Sequence, residues 1–198
     1  MKVFKIVCLI AVLTACQDMR SFDVLIDKHF TSAEKKNLND LTLFVDKHVV
    51  NKTGEKDIAN AYLNYFKKEY SSTFSSEDYN DIFSLSQNAF SQIWVKSTPL
   101  NVVYADSITI EPDNIWYLNL NKNGNYMKML KELGESSKFY NEFCQNFEKY
   151  DIYYIPLYAS KLQKNPELLD FKNEIDHLWA AIFIISLEVY ITSPNRRP

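Results

Sequence analysis

Glycine occurs only three times in this chain of 198 residues, at Gly54, Gly124 and Gly134. Tight two-residue hairpin turns need φ > 0, which glycine adopts most cheaply, so a fold built from many such hairpins is disfavoured. The same scarcity excludes the glycine-dependent phosphate sites. A dinucleotide fingerprint needs three glycines within six residues, and a Walker A loop needs two glycines five apart followed by Lys. A nucleophile elbow places a serine between two glycines. None can be written with glycines at 54, 124 and 134, so no nucleotide and no cofactor is expected. The chain is 46% hydrophobic and holds 13 Phe, 13 Tyr and 3 Trp, which is enough to fill a core and too apolar for a disordered chain.

Helical periodicity runs through most of the sequence. Thr31-Ser32-Ala33-Glu34 has the form of a capping box, and Leu38, Leu41, Phe44, Val45, His48 and Val49 follow at helical spacing before Gly54. Ile58, Ala61, Tyr62, Tyr65 and Phe66 form one face of a second helix. Ser75-Ser76-Glu77-Asp78 starts a third, with Ile82, Phe83, Phe90, Ile93 and Trp94 turned inward. The rhythm breaks near 97–120, where Pro99 and Pro112 bound Val102-Val103-Tyr104 and Ile108-Thr109-Ile110. These short β-branched pieces suit either a small hairpin or an extended excursion, and Trp116-Tyr117-Leu118-Asn119-Leu120 shares that ambiguity.

Helices resume with Met127, Leu130 and Leu133, closed by Gly134 as a residue beyond the helix end. Ser136 or Ser137 caps the next, whose Phe139, Phe143 and Phe147 recur every four residues. Pro156 begins a short helix, and Asn165-Pro166-Glu167 reads as another start signal. The run Leu178 to Leu187 is apolar on all sides but too short to span a bilayer, which suits the buried central helix of a bundle. The expected fold is a mainly α, single-domain irregular bundle of six to seven helices, with a hairpin or excursion near 97–120. Its domain spans 31–193, followed by a C-terminal tail at 194–198.

The first sixteen residues have a different character. Lys2 and Lys5 precede the apolar run Ile6 to Leu13; about eight to ten apolar residues at 1.5 Å each give about 15 Å of helix, roughly half a bilayer core. A basic start and a short apolar run match a signal peptide. The run ends in Leu13-Thr14-Ala15-Cys16, which resembles the lipobox of bacterial lipoproteins. The resemblance implies cleavage after Ala15, a diacylglyceryl group on the Cys16 sulfur and a third acyl chain on the new amine. Residues 1–15 would then be removed, and 16–30 would form the lipidated cysteine and a short tether whose apolar residues dock in part on the body. Gln17 stands where lipoproteins kept in the inner membrane carry Asp, so the resemblance points to the outer membrane, with no signal for either leaflet. The stretch Leu120 to Gly134 also resembles segments of uncharacterised lipoproteins of low-GC Bacteroidetes-type bacteria.

Loss of Lys2 and Lys5 with the leader takes the 22 basic residues to 20 against 25 acidic ones, a formal charge of −5. An acidic chain with three arginines does not suit nucleic acid, which demands a basic face. Only Cys144 remains as a free thiol after cleavage and lipidation, and its helical surroundings suit a small packed hydrophobe.

Chemical motifs are sparse. His29, His48 and His177 lie far apart and form no His-Glu-x-x-His pattern, so no metal site is expected. His48 suits a half-buried, hydrogen-bonded histidine, and His177 a solvated or capping one, because adjacent helical residues such as Asp176 point about 100° away. Glu77, Asp78 and Asp81 sit at a helix start, where the macrodipole explains them. No catalytic residue stands out, and the balance favours binding over catalysis. The candidate partner-binding residues are aromatic: Tyr150, Tyr153, Tyr154 and Tyr158 around a helix corner, and Trp116 and Tyr117 in the excursion. The expectation is a membrane-anchored envelope lipoprotein that acts by binding a protein. Its most concrete form is an immunity-type protein that neutralises a toxin. The alternatives are a structural or accessory envelope lipoprotein, a glycan-capture component, and a hydrolase whose site forms only in the fold.

Overall fold

The computed structural model describes residues 22–68, 74–97, 117–151 and 154–192. The leader, Cys16 and the β-branched pieces of 98–116 lie outside them. The architecture is a mainly α, irregular helical bundle with one small antiparallel hairpin. A helix across 22–29, α1, precedes the capping box. Its Leu25 and Ile26, with Phe30 just after it, enter the core while Val24 stays exposed, so this stretch docks in part on the body.

Helix α2 (Ser32–Thr53) starts as its sequence demands. The Glu34 amide donates to Thr31 Oγ1 at 3.4 Å and the Thr31 amide donates to Glu34 Oε2 at 2.7 Å, satisfying two free donors of the first turn. Leu38, Leu41, Val45 and Val49 make its buried stripe, and Gly54 ends it in the left-handed region at φ 74°. Asp57 caps α3 (Ile58–Lys67), which buries Ala61, Tyr62, Tyr65 and Phe66. Ser75 and Asp78 form a second capping box at α4 (Ser76–Ser86). The third helix of the sequence reading does not continue to residue 94. It stops at Ser86, resumes as the single turn α5 (Phe90–Ile93), and Trp94 opens a strand.

That strand, β1 (Trp94–Ser97), pairs antiparallel with β2 (Tyr117–Leu120), with Trp94 opposite Leu120 and Ser97 opposite Tyr117. The hairpin is therefore made by its outer ends, and any pairing of 102–104 with 108–110 lies outside the described residues. Helix α6 (Asn125–Gly134) buries Tyr126, Met127, Met129 and Leu130. Gly134 is not beyond its end but in its last turn, where an added Cβ would meet the Asn141 backbone at 3.0 Å. It is small because α6 and α7 (Lys138–Tyr150) approach closely there. Ser137 occupies the N-cap position of α7 without making a side-chain cap bond.

Helix α8 (Tyr154–Lys164) is followed by one 3-10 turn, Pro166–Leu168, rather than by an α-helix starting at the Asn165-Pro166-Glu167 signal. Asn165 makes no cap bond, and the chain leaves the turn extended at Leu169 so that Leu169 and Phe171 reach the core. Packing outweighs the local signal. The final helix α9 (Glu174–Thr192) starts instead on Asn173, whose Oδ1 accepts the Ile175 amide at 2.9 Å.

Leu178 through Ile185 of α9 are all buried, which identifies the run of apolar residues as the central helix. Trp179 stacks on Phe183 at 4.7 Å, and Phe143 meets the Trp179 and Tyr158 rings at 5.2 Å each. Two polar residues follow on α9, Ser186 and Glu188, both in the core. The Trp94 indole donates to Ser186 Oγ at 3.0 Å, and Tyr65 donates its phenol to Glu188. Buried polar groups cost several kcal/mol unless paired, so these bonds pin α9 to β1 and α3 in one register. Among the described residues no helix is long and apolar enough to cross a membrane. Sequence periodicity suggested six to seven helices, whereas nine are described, because α1 is added and the third divides into α4 and α5.

Candidate functional site

A groove with a volume of about 310 Å³ opens along α2. Lys35, Leu38, Asn39, Thr42, Leu43 and Asp46 line it, spaced by three or four residues and so stacked on one face over about 16 Å of helix. Helix α1 adds Phe22 and Ile26, and the first turns of α9 add Glu174, His177 and Leu178. At one end the Asp27 carboxylate holds the Lys35 ammonium. At the other, Asp46 Oδ1 accepts two hydrogen bonds, from His177 Nε2 at 2.7 Å and from the Tyr62 hydroxyl at 2.9 Å.

This cluster is the part that sequence reading missed. His177 is neither solvated nor a cap; it bridges α9 to α2 through Asp46, 131 positions away in the chain. Its ring lies edge-on to Tyr62 at 4.9 Å, and Tyr62 stacks on Phe171 at 5.6 Å. Burial, followed by the negative charge of Asp46, pushes the Tyr62 phenol well above its ordinary pKa, so it remains a hydrogen donor. Asp46 Oδ2 takes no hydrogen bond from the described residues, and the Asp46 side chain lines the groove. Thr42, the hydroxyl among the lining residues, already donates to the Leu38 carbonyl at 2.9 Å. The arrangement offers apolar walls with a fixed carboxylate, suited to holding an apolar side chain next to a cation.

The aromatic candidates do not share one surface. Trp116 and Tyr153, like Cys16, lie outside the described residues. Tyr117 is the first residue of β2, opposite Ser97. Tyr150 is exposed at the end of α7 (44% accessible), with the Lys149 ammonium 4.8 Å from its ring centre. Tyr154 and Tyr158, in contrast, are core residues at 8% and 1% accessible, which removes them from a partner-facing surface. They pack on Phe143, and Tyr158 also on Trp179, so both rings face the core from α8. Burial pushes the Tyr154 phenol up to about 12 and the Tyr158 phenol further, so both stay neutral.

Other titratable groups serve the fold. Cys144 is buried in α7, and burial raises its thiol to about 12, far from a reactive thiolate. His48 is half-buried between Phe74 and Tyr65, at ring distances of 4.5 and 6.1 Å. Its Nε2 takes no hydrogen bond among the described residues, so it is not the hydrogen-bonded histidine that its helix position suggests. Desolvation and, less strongly, the Lys52 charge hold its pKa below the ordinary histidine value, against a smaller opposing effect of Asp78. Glu132 accepts hydrogen bonds from Lys28 and His29, which lower its pKa and clasp α1 to α6. Among the described residues no group of three His, Cys, Asp or Glu is arranged to hold a metal ion. Comparison with protein-family models, curated proteins and solved structures gives no match to this chain.

Proposed function

We propose that this chain is a membrane-anchored envelope lipoprotein that acts by binding a protein partner. The observation that carries the reading is the leader: Lys2 and Lys5, a short apolar run, then Leu13-Thr14-Ala15-Cys16. One acyl chain binds a bilayer marginally, whereas two or three anchor a protein stably. The groove along α2 supports binding as the work of the anchored domain, because its lining is mainly apolar with a few fixed polar groups. Only five residues lie between Cys16 and Phe22, a span of at most about 20 Å, so a partner seated there would lie close to the bilayer. In its most concrete form the protein is of the immunity type and neutralises a toxin delivered by a rival cell.

Two measurements test the reading. Metabolic labelling with a fatty-acid analogue, followed by fractionation, should find the wild type labelled and in membranes and Cys16→Ala unlabelled and released. Retention of Cys16→Ala in the membrane fraction would refute the anchor. The immunity form requires a toxin gene directly upstream whose product forms a tight complex with this protein; a solitary gene and no such complex would remove it.

A further inference from the structure

We propose that the groove along α2 receives a short amphipathic segment of the partner protein, with a Lys or Arg seated at Asp46 and Glu174 and a large apolar side chain against Phe22, Leu38 and Leu43. This rests on the partner-binding reading above and specifies the chemistry of the partner.

Charge is the first argument. Of the charged side chains lining the groove, Lys35 is held by Asp27, while Glu174 and Oδ2 of Asp46 engage no described group. Asp46 is also fixed in place: His177 and Tyr62 both hold its other oxygen, so a cation arriving at Oδ2 meets an oriented carboxylate rather than a mobile one. A carboxylate beside apolar walls and shielded from bulk water attracts a cation more strongly than one on an open surface.

Shape is the second argument. The lining follows α2 for about three turns, which suits an elongated occupant lying along the helix rather than a compact one. Leu43 is half exposed, at 50%, and shares the groove lining with the buried Ile26, Leu38 and Leu178. A partner side chain covering Leu43 would extend the apolar wall that Phe22, Ile26, Leu38 and Leu178 give the groove. An acidic mature chain with charge −5 favours a basic partner at long range as well.

The test selects displayed random 12-residue peptides on the full lipidated chain in maltoside micelles, with empty micelles as the control. Enriched peptides should carry Lys or Arg three or four residues from a large apolar residue. Their binding, followed by fluorescence polarisation, should weaken about 10-fold in Asp46→Asn and in Glu174→Gln, and fall as salt rises. Leu43→Asp should abolish it, and Leu157→Asp, exposed on α8 and outside the groove lining, should not change it. Glu174 and Leu43 are exposed, so these variants report on binding even if Asp46→Asn disturbs folding. Enrichment of acidic or uncharged peptides, undiminished binding by Leu43→Asp, or no enrichment over empty micelles would overturn the proposal. A partner complex that survives Leu43→Asp would leave the binding reading standing and remove the groove from it. Anchoring is scored separately by Cys16→Ala.

Discussion

Gly54 and Gly124 meet different physical needs. Gly54 ends α2 at φ 74° in open space, so its value lies in conformation alone. Gly124 has an ordinary φ of −73°, but a Cβ there would sit 2.3 Å from the Gln92 carbonyl oxygen. Gly54→Ala should cost about 1 kcal/mol, whereas Gly124→Ala must displace backbone and should cost about 1–3 kcal/mol or more. Urea unfolding of both variants checks the order; equal losses would contradict it. His48 carries a pH prediction. Its folded pKa is depressed below the unfolded value of 6.5, so the folded state binds a proton less well. That contribution to stability is present above pH 6.5 and is lost as pH falls towards the folded pKa. Thermal melts of His48→Leu between pH 7.5 and 5 should therefore decline less steeply than those of the wild type, and parallel curves would count against it. Glu132, the lowered carboxylate, loses its contribution only below its ordinary value of 4.5, outside that window.

Among the elements, α9 shows how an apolar helix acquires a defined position. Hydrophobic burial is non-directional, and eight successive buried residues by themselves allow rotation and sliding. The Trp94–Ser186 and Tyr65–Glu188 bonds remove that freedom. Ser186→Ala should leave the buried indole N–H without an acceptor and lower stability by about 1–3 kcal/mol in denaturant melts. A loss within experimental error would mean that packing alone sets the register. The caps of α2 and α4 were legible in sequence because a cap is a local event, settled by side chains three residues apart. The start after Asn165 was not. Its signal is equally good locally, but Leu169 and Phe171 gain more from burial in the core than a helix there would supply. The break between α4 and α5 escaped notice for a related reason: Phe90, Ile93 and Trp94 continue a helical spacing, while strand pairing with 117–120 governs where Trp94 goes.

At the scale of the whole molecule, the candidate site joins three segments far apart in the chain: α1, α2 and the start of α9. The polar stripe Lys35, Asn39, Thr42 and Asp46 resembles an ordinary solvated face in sequence, and nothing near His177 announces Asp46 as its partner. Tyr154 and Tyr158 illustrate the converse, since a cluster of tyrosines reads the same whether it coats a surface or fills a corner. By itself the sequence determined the features that depend on neighbours along the chain: the helical class, the caps, the central apolar helix and the lipobox-like leader. Tertiary structure alone decided which aromatic rings are buried, which ends of 94–120 pair, and where a carboxylate, an imidazole and a phenol meet. The reason is physical. Helix initiation and periodic burial follow from contacts within a turn or two, whereas a site assembled across 131 positions depends on how those helices pack.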